Sequence, residues 1–306
     1  MTVDVVCAGP PFLDLVFRGL SRLPDRGEEL LADELAIVPG AMANVAFALR
    51  QLGVDAVVCS PVGTDPAGRL LQGLMAEAGI PWLGPQTPTT PVSVALPIDG
   101  ERAFVTHFPE PDVDVAAIAA AEPRAVVLNL PLAEGLVPGL PAAPRLIGVV
   151  GDPQIAILRE RPAESWADLH AVVMNEREAS LLSDRQDAAG AARDLAARGC
   201  LVIVTRGDRG VVAVDPGGAC HETDAVPVHA PDTVGAGDLF TAAWLWADLA
   251  GRPLDESLVI ATSYAAWSLA APGSRQKGLS REAFLAAADM NGGVGGWMRE
   301  GSRMTL

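Results

Sequence analysis

One segment of the sequence places two glycines and a carboxylate at the start of a predicted helix. It reads Asp232-Thr-Val-Gly-Ala-Gly-Asp-Leu-Phe240, and it leads into an apolar run that ends near Leu249. Glycines at this point let successive backbone N–H groups converge, with the positive end of the helix macrodipole behind them. Such a group of amides suits the charge on a transferring phosphoryl group. Asp238, in the first helical turn, would accept the proton of an attacking hydroxyl.

The same segment has a simpler interpretation. Glycines often turn a chain into a helix, and Asp238 would then only stabilise the positive helix end, by about 0.3 to 1 kcal/mol. The types and spacing of these residues leave both interpretations open, so the rest of the string matters.

The string Asp-Thr-x-Gly-Ala-Gly-Asp resembles the C-terminal signature of the ribokinase-like sugar kinases, also called the PfkB carbohydrate kinase family. In that family the last Asp is the catalytic base, and the amides of the Gly-Ala-Gly triplet form an anion hole. The resemblance therefore implies that Asp238 is the base and that the hole is formed by Gly235, Ala236 and Gly237. It also implies a place for Asp232 at the substrate.

Two N-terminal elements are candidates for substrate binding. The stretch Pro39-Gly40-Ala-Met-Ala-Asn44 resembles the family's N-terminal signature, in which a Gly-Gly pair precedes a substrate-binding Asn. Pro39 stands where the first glycine is usual, but Gly40 and Asn44 keep the spacing. Without the family, Asn44 could equally be a satisfied buried amide.

Asp14 is the other substrate candidate. It ends the stretch Gly9-Pro-Pro-Phe-Leu-Asp, which looks like the family's first-strand exit, whose Asp binds sugar hydroxyls. A carboxylate suits this role because it offers only acceptors and can hold two adjacent hydroxyls. An ordinary turn residue is the alternative interpretation.

The stretch Asn175-Glu-Arg-Glu178 is a candidate for magnesium binding. It resembles the family's Asn-x-x-Glu element, which organises the ion and its water shell, and the i, i+3 spacing puts both side chains on one helix face. Mg²⁺ prefers oxygen ligands and keeps several waters, so we expect Glu178 to act through water. A solvated, charged helix start is the alternative.

Two further elements are predicted to contact the nucleotide. A Thr-x-Gly-x-x-Gly turn resembles the family's turn against ATP, and a plain hairpin turn is its alternative; its residues are Thr205, Arg206, Gly207 and Gly210. The family commonly has an Asn facing the adenine in the helix after the signature, and none occurs around Tyr264. We expect this tyrosine, the only one in the chain, to stack on the base instead, unless it is a buried structural residue.

The elements that must position these residues follow from the apolar pattern. Short Val- and Ile-rich runs alternate with Ala- and Leu-rich amphipathic stretches. This predicts strands at 3–8, 57–62, 126–130, 146–150, 171–174 and 201–204, and helices at 41–51, 67–78, 188–198, 239–249, 254–269 and 281–289. The alternation indicates a mostly parallel α/β sheet with helices on both faces. With the resemblance, we expect one ribokinase-like three-layer αβα sandwich over residues 1–306.

Two stretches, roughly 13–38 and 89–106, interrupt the alternation. In the second, residues 92–97 and 103–106 flank the turn Asp99-Gly100, as in a β-hairpin. Together they predict a small discontinuous β lid over the carboxyl ends of the parallel strands, where it would exclude water. Two surface excursions without a role are the alternative.

Composition excludes several classes of function. The formal net charge of −16 argues against binding to nucleic acid or to an anionic membrane. The four cysteines are scattered, which fits a reducing cytoplasm, and no apolar run is long enough for a membrane span. No GxGxxG follows the first strand, which argues against a dehydrogenase.

The leading hypothesis is therefore transfer of the γ-phosphoryl group from MgATP to a hydroxymethyl group of a small sugar. A nucleoside kinase is the alternative within the family, with Phe12, Trp82 or Phe104 as apolar walls. A non-catalytic sugar-binding protein on the same fold is the alternative from a different class of function. The resemblance also allows a monovalent cation such as K⁺, held by main-chain oxygens near the signature and residues 271–274, and a homodimer formed through the lid.

Overall fold

The computed structural model describes residues 3–98, 101–108, 113–130, 144–160, 166–230, 233–271 and 277–291. The strands in these ranges are β1 Val5–Ala8, β2 Pro11–Arg18, β3 Glu34–Ala41, β4 Ala56–Cys59, β5 Val62–Gly63, β6 Trp82–Leu83, β7 Gln86–Thr87, β8 Val92–Ile98, β9 Glu101–His107, β10 Ala125–Asn129, β11 Arg145–Val149, β12 Ala171–Asn175, β13 Leu201–Thr205, β14 Val211–Val214 and β15 Cys220–Thr223. The α-helices are α1 Met42–Gln51, α2 Pro66–Glu77, α3 Val115–Ala120, α4 Ile155–Arg159, α5 Glu176–Ser183, α6 Ala188–Ala196, α7 Ala236–Leu249, α8 Leu254–Ala270 and α9 Arg281–Asn291.

The central sheet has nine strands in the order β15-β14-β13-β12-β11-β10-β1-β4-β6. Neighbours from β13 to β6 are parallel, whereas β14 and β15 are antiparallel and form one edge. Strands such as β1 and β10 are buried on both faces, which explains their unbroken apolar runs. The run at 57–62 is two short strands, because Pro61 has no N–H for the ladder.

Helices cover both faces of this sheet and give it two cores. One core contains buried residues of α1, α7 and α8, including Leu49, Trp244 and Leu258. The other contains buried residues of α3 to α6, including Ile118 and Leu195. The predicted α/β class and the three-layer αβα arrangement are confirmed.

A second sheet has the order β3-β2-β8-β9, and we call it the small sheet. The predicted hairpin is present as the antiparallel pair β8 and β9, and β8 runs parallel to β2. β3 is an edge strand of this sheet, and an edge strand accommodates Pro39 because its missing N–H removes no central ladder bond. β3 carries Gly40 and leads directly into α1, while β2 carries Asp14.

The parallel strands carry candidate residues at their carboxyl ends. Asn175 ends β12, Thr205 ends β13, and the two residues pair in register. α7 begins at Ala236, three residues before the predicted start, because Gly235 forms its N-cap. None of the helices in the described part of the chain is both long and apolar enough to cross a membrane.

Candidate active site

The N-terminus of α7 has the backbone conformation that the signature predicts. Gly235 is the N-cap, with a left-handed φ of 82° that glycine adopts without strain, and no side chain caps the helix. The Gly235 carbonyl accepts the Leu239 N–H at 3.0 Å, which starts the helical ladder. The positive end of a 14-residue helix therefore lies at the Gly235–Gly237 segment.

Asp238 lies in the first turn of α7, as predicted. Its Oδ2 accepts a hydrogen bond of 2.9 Å from the Asn44 amide of α1. Burial raises the pKa of Asp238 to about 6, and the Asn44 hydrogen bond opposes that increase. A carboxylate with a pKa close to neutral can accept a proton without losing its charged form at physiological pH.

Asp14 is buried against the backbone of Gly40. A Cβ at Gly40 would lie 1.9 Å from Asp14 Oδ2, so only glycine leaves room for this carboxyl group. Burial raises the pKa of Asp14 to about 7, and the negative charge of Asp238 adds to the increase. The charge of Asp238 therefore acts on Asp14, although the two residues lie far apart in the sequence.

The turn between β3 and α1 carries backbone strain. Ala41 is the N-cap of α1 and has φ 52°, a region that L-residues rarely adopt. Such a residue costs of order 1 to 3 kcal/mol and typically occurs where the fold must place a functional group. Here the turn lies between Gly40 and Asn44, the two residues that the N-terminal signature names.

A small cavity of ≈ 30 Å³ brings the substrate candidates together. Asp14 and Asn44 line it, and Gly235 contributes from the signature. Lys277, which the sequence motifs do not include, also lines it. Asp232 lies outside the described residues.

A larger cavity of ≈ 790 Å³ lies beside the N-terminus of α7. Its polar wall is formed by the strand ends, the Gly-rich turn and the signature, namely Asn175, Glu178, Thr205, Gly207, Gly210, Gly235, Ala236, Gly237 and Asp238. Its apolar wall is formed by residues of α8 and of the segment before the signature, among them Val226, Val228, Ala265, Ala266 and Leu269. The sequence motifs did not include this apolar wall. A cavity with one polar and one apolar wall suits a ligand with the same two parts, such as a nucleotide.

Asn175 and Glu178 cap α5 reciprocally. Asn175 Oδ1 accepts the Glu178 N–H and Glu178 Oε2 accepts the Asn175 N–H, both at 2.8 Å. Burial raises the pKa of Glu178 to about 7. A cation bound nearby would oppose this increase, because it favours the charged form of the carboxylate. Within the described ranges, no group of three or more His, Cys, Asp or Glu side chains is arranged to hold a metal ion. The donor set fits Mg²⁺, which keeps several waters and binds one or two carboxylates together with substrate phosphates.

Arg206 is the exception within the predicted turn. Gly207 and Gly210 line the larger cavity with Thr205, whereas the Arg206 guanidinium pairs with Glu222 at 3.1 Å. Its side chain therefore lies against β15, and contact between Arg206 and the nucleotide stays a prediction. Gly210 is required by its packing, because a Cβ there would lie 2.0 Å from a backbone oxygen of the neighbouring strand.

The position of Tyr264 matches the alternative interpretation, a buried structural residue, rather than stacking on a base. The ring is fully buried and packs edge-on against Phe284, with centroids 5.1 Å apart. Its hydroxyl donates to the Leu279 carbonyl at 2.9 Å. Neither ring face is available to a ligand, and Ala265 and Ala266 of the same helix line the cavity instead.

Comparisons with known proteins identify the family of the chain. A family model described as pfkB family carbohydrate kinase matches residues 21–116 and 143–280. A fructokinase from Klebsiella pneumoniae is 31% identical over 245 residues, which cover 72% of this chain and 79% of that protein. A cytidine kinase from Thermococcus kodakarensis is 39% identical over 102 residues, which cover 32% of this chain and 36% of that protein.

A solved structure shares the fold. Arabidopsis thaliana ribokinase complexed with ribose and ATP aligns with a TM-score of 0.73 at 22% identity, over 94% of this chain and 98% of that chain. At this level of identity the likeness concerns the fold, which is ribokinase-like as the sequence predicted.

Proposed function

The chain belongs to the pfkB family of carbohydrate kinases, and on this premise we propose that it transfers the γ-phosphoryl group of ATP to a hydroxymethyl group of a small sugar. The observation that carries the proposal is the position of the Asp238 carboxylate. It lies at the positive end of α7, on the wall of the larger cavity, and is held by Asn44 of the substrate-side signature.

On the sugar side, Asp14 and Asn44 position the substrate. The Asp14 carboxyl group accepts two hydroxyls, and Asn44 offers an amide oxygen while its nitrogen holds Asp238. Gly40 supports this arrangement by leaving the space that Asp14 fills. Asp232 is assigned to the same substrate by the family resemblance.

In the reaction, Asp238 accepts the proton of the substrate hydroxyl as that oxygen attacks phosphorus. The amides of Gly235 and Gly237 then stabilise the charge on the transferring group, helped by the dipole of α7. The Ala236 N–H donates to the Thr233 carbonyl at 3.2 Å, so its place in the hole rests on the family resemblance alone. A hydroxyl fixed between the base and the phosphoryl group reacts in line, so positioning supplies much of the rate.

On the nucleotide side, Thr205, Gly207 and Gly210 lie against the phosphates, and the apolar wall of α8 takes the base. Magnesium, when it is bound with ATP, neutralises phosphate charge. Glu178 would hold the ion through water, and Asn175 fixes the Glu178 carboxylate by the reciprocal cap.

A nucleoside kinase is the second candidate. Phe12 stacks on Phe108 with ring centroids 5.7 Å apart, and alternation along β2 puts Phe12 on the same face as Asp14. Trp82 instead donates its ring N–H to Ser60, and Phe104 is exposed. The stacked pair therefore offers a base a flat apolar neighbour, and the match to a cytidine kinase supports this candidate.

We also propose that the small sheet is a lid and that two chains associate through it. Its edge strands β3 and β9 expose the apolar side chains of Leu35, Phe104 and Val105. Sedimentation at several concentrations, with Phe104→Ser as the variant, tests this; a wild-type monomer throughout would contradict it.

A screen of ATP consumption tests the function. The purified protein is assayed with hexoses, pentoses and nucleosides, with and without KCl and MgCl₂. We expect ADP formation with a sugar hydroxymethyl acceptor, abolished by omission of MgCl₂. Preference for a nucleoside would select the second candidate. Sugar binding by calorimetry without ADP formation would show instead a non-catalytic binding protein.

A further inference from the structure

We propose that Lys277 is a positioning residue for the anion hole, and that its ammonium group takes the place of a free monovalent cation beside the signature. The proposal deepens the function proposed above and rests on it for its kinetic consequences.

The composition of the chain makes Lys277 unusual. It is the only lysine among the 22 Lys and Arg residues of the sequence. Its Nζ donates to the Val234 carbonyl at 3.1 Å, across 43 positions of sequence. Val234 directly precedes Gly235, the N-cap of α7, so the single lysine contacts the backbone where the anion hole begins.

This contact fixes the orientation of one peptide group. In a planar trans peptide the C=O and N–H bonds point in opposite directions. An ammonium group that holds the Val234 oxygen on one side therefore holds the Gly235 N–H on the other. The peptide after Gly235 is held by the helical ladder, because its carbonyl accepts the Leu239 N–H. The peptide before Gly235 is the one that Lys277 holds, and glycine has no Cβ to restrict its rotation.

The segment that carries Lys277 is itself fixed to α8. The Leu279 carbonyl accepts from Tyr264 at 2.9 Å, and the Leu279 N–H donates to Ser268 at 3.1 Å. Gly278 allows this close approach, because a Cβ there would lie 3.3 Å from the Tyr264 hydroxyl. The buried tyrosine thus anchors the loop from which Lys277 reaches the signature.

A free cation and Lys277 compete for the same oxygen. Main-chain oxygens near the signature are the ligands that a K⁺ ion would need, and Val234 O already accepts from an ammonium group of the same charge. A lysine suits this task better than an arginine, since its ammonium is a compact charge with three rotatable donors. The residues present therefore do not fit K⁺ at Val234, and we infer that catalysis needs none.

The test measures two properties in potassium-free buffer and in KCl, with choline chloride to keep ionic strength constant. Turnover is measured for the wild type, Lys277→Met and Lys277→Ala, and the thermal midpoint is measured for the same proteins. We expect wild-type values that are independent of K⁺. Lys277→Met should lower kcat roughly ten- to a hundredfold with little change in the sugar KM, because a charge-assisted hydrogen bond is lost. KCl should partly restore kcat in Lys277→Ala and raise its thermal midpoint, as ligand linkage requires.

The turnover measurement and the thermal midpoint can each contradict the proposal independently. Wild-type turnover or a wild-type thermal midpoint that depends on K⁺ would overturn the proposal without any variant. Full turnover of Lys277→Met would overturn it as well. If the wild type phosphorylates no acceptor, the proposed function fails, but the K⁺ dependence of the thermal midpoints still decides the role of Lys277.

Discussion

The Asn44 side-chain amide donates a hydrogen bond of 2.9 Å to Asp238 Oδ2, across 194 positions of sequence. The helix that follows the N-terminal signature thereby holds the carboxylate of the C-terminal signature. Burial alone would raise the pKa of Asp238 further, and the Asn44 hydrogen bond brings it to about 6. In the proposed mechanism, substrate positioning and basicity therefore depend on one hydrogen-bonded pair.

Substitution of the base should affect the chemical step almost alone. Asp238→Asn keeps the shape of the side chain but removes the proton acceptor, so we expect kcat to fall by roughly 10² to 10⁴. Affinity for ATP, measured by calorimetry, should change little. Asp255→Asn is the matched control, since that carboxylate is exposed at the start of α8 and pairs with His221. Turnover of Asp238→Asn close to that of the control would remove Asp238 from the mechanism.

The pH dependence of kcat/KM should depend on both Asp238 and Asn44. A base must be ionised to act, and the carboxylates of Asp14 and Glu178 have pKa values of about 7. We therefore expect kcat/KM to rise with pH from about 6 to about 7 and then level off. Asn44→Ala removes the hydrogen bond that favours the ionised form, so the acid limb should shift to higher pH. An acid limb at the same pH in both proteins would separate Asn44 from the basicity of Asp238.

Much of this site could be predicted from the sequence because its residues occur in ordered motifs. The signature names Asp238 and its glycines, and the helix start that it predicts puts them at a positive helix end. The role of Gly40 could be predicted only as a family position. Its physical reason, a contact with the Asp14 carboxyl group, depends on the packing of β2 against β3.

The positions of Tyr264 and Lys277 in the site could not be predicted from sequence patterns. α8 is buried nearly all round, so its pattern does not distinguish the cavity side, with Ala265 and Ala266, from the core side, with Tyr264. Lys277 belongs to no motif. Its only sequence signal is that it is the single lysine of the chain, and that signal gives no partner.

A methyl group at Gly40 should weaken sugar binding. The added Cβ would lie 1.9 Å from Asp14 Oδ2 and would displace the carboxyl group. We therefore expect Gly40→Ala to raise the KM for the sugar by roughly tenfold or more and to change the KM for ATP little. Asp14→Ala should have the same effect. Gly73→Ala is the control, because a Cβ at that position in α2 meets nothing within 4 Å. Equal changes in both KM values would place Asp14 away from the sugar.

Removal of the charge at Glu178 should affect magnesium but not folding. Gln can accept the same backbone hydrogen bond, so Glu178→Gln keeps the cap of α5 while it loses the anion. We expect a roughly tenfold or larger increase in the Mg²⁺ concentration for half-maximal rate. The midpoints of thermal unfolding of the variant and the wild type should be similar if the cap of α5 is kept. An unchanged Mg²⁺ requirement would contradict the assigned role.

Neutralisation of Asp14 should stabilise the fold at alkaline pH while it impairs function. The pKa of Asp14 is raised from 3.8 to about 7, so the ionised form is disfavoured in the folded protein. Below the pKa of the unfolded chain the group is protonated in both states and costs nothing. As pH rises from about 3.8 to about 7, Asp14 ionises in the unfolded chain but stays protonated in the folded protein. The free energy of unfolding therefore falls over this range.

Asp14→Asn, which cannot ionise, should therefore unfold with a free energy higher than that of the wild type by roughly 1 to 3 kcal/mol at alkaline pH, and by almost nothing near pH 4. Urea unfolding across that range measures the difference directly. Because Glu178 titrates in both proteins, its contribution cancels in the difference between the curves. That difference therefore contains the Asp14 charge together with its repulsion of Asp238. A variant that is less stable than the wild type at alkaline pH would mean that the Asp14 carboxylate gains more from its contacts than it loses by burial.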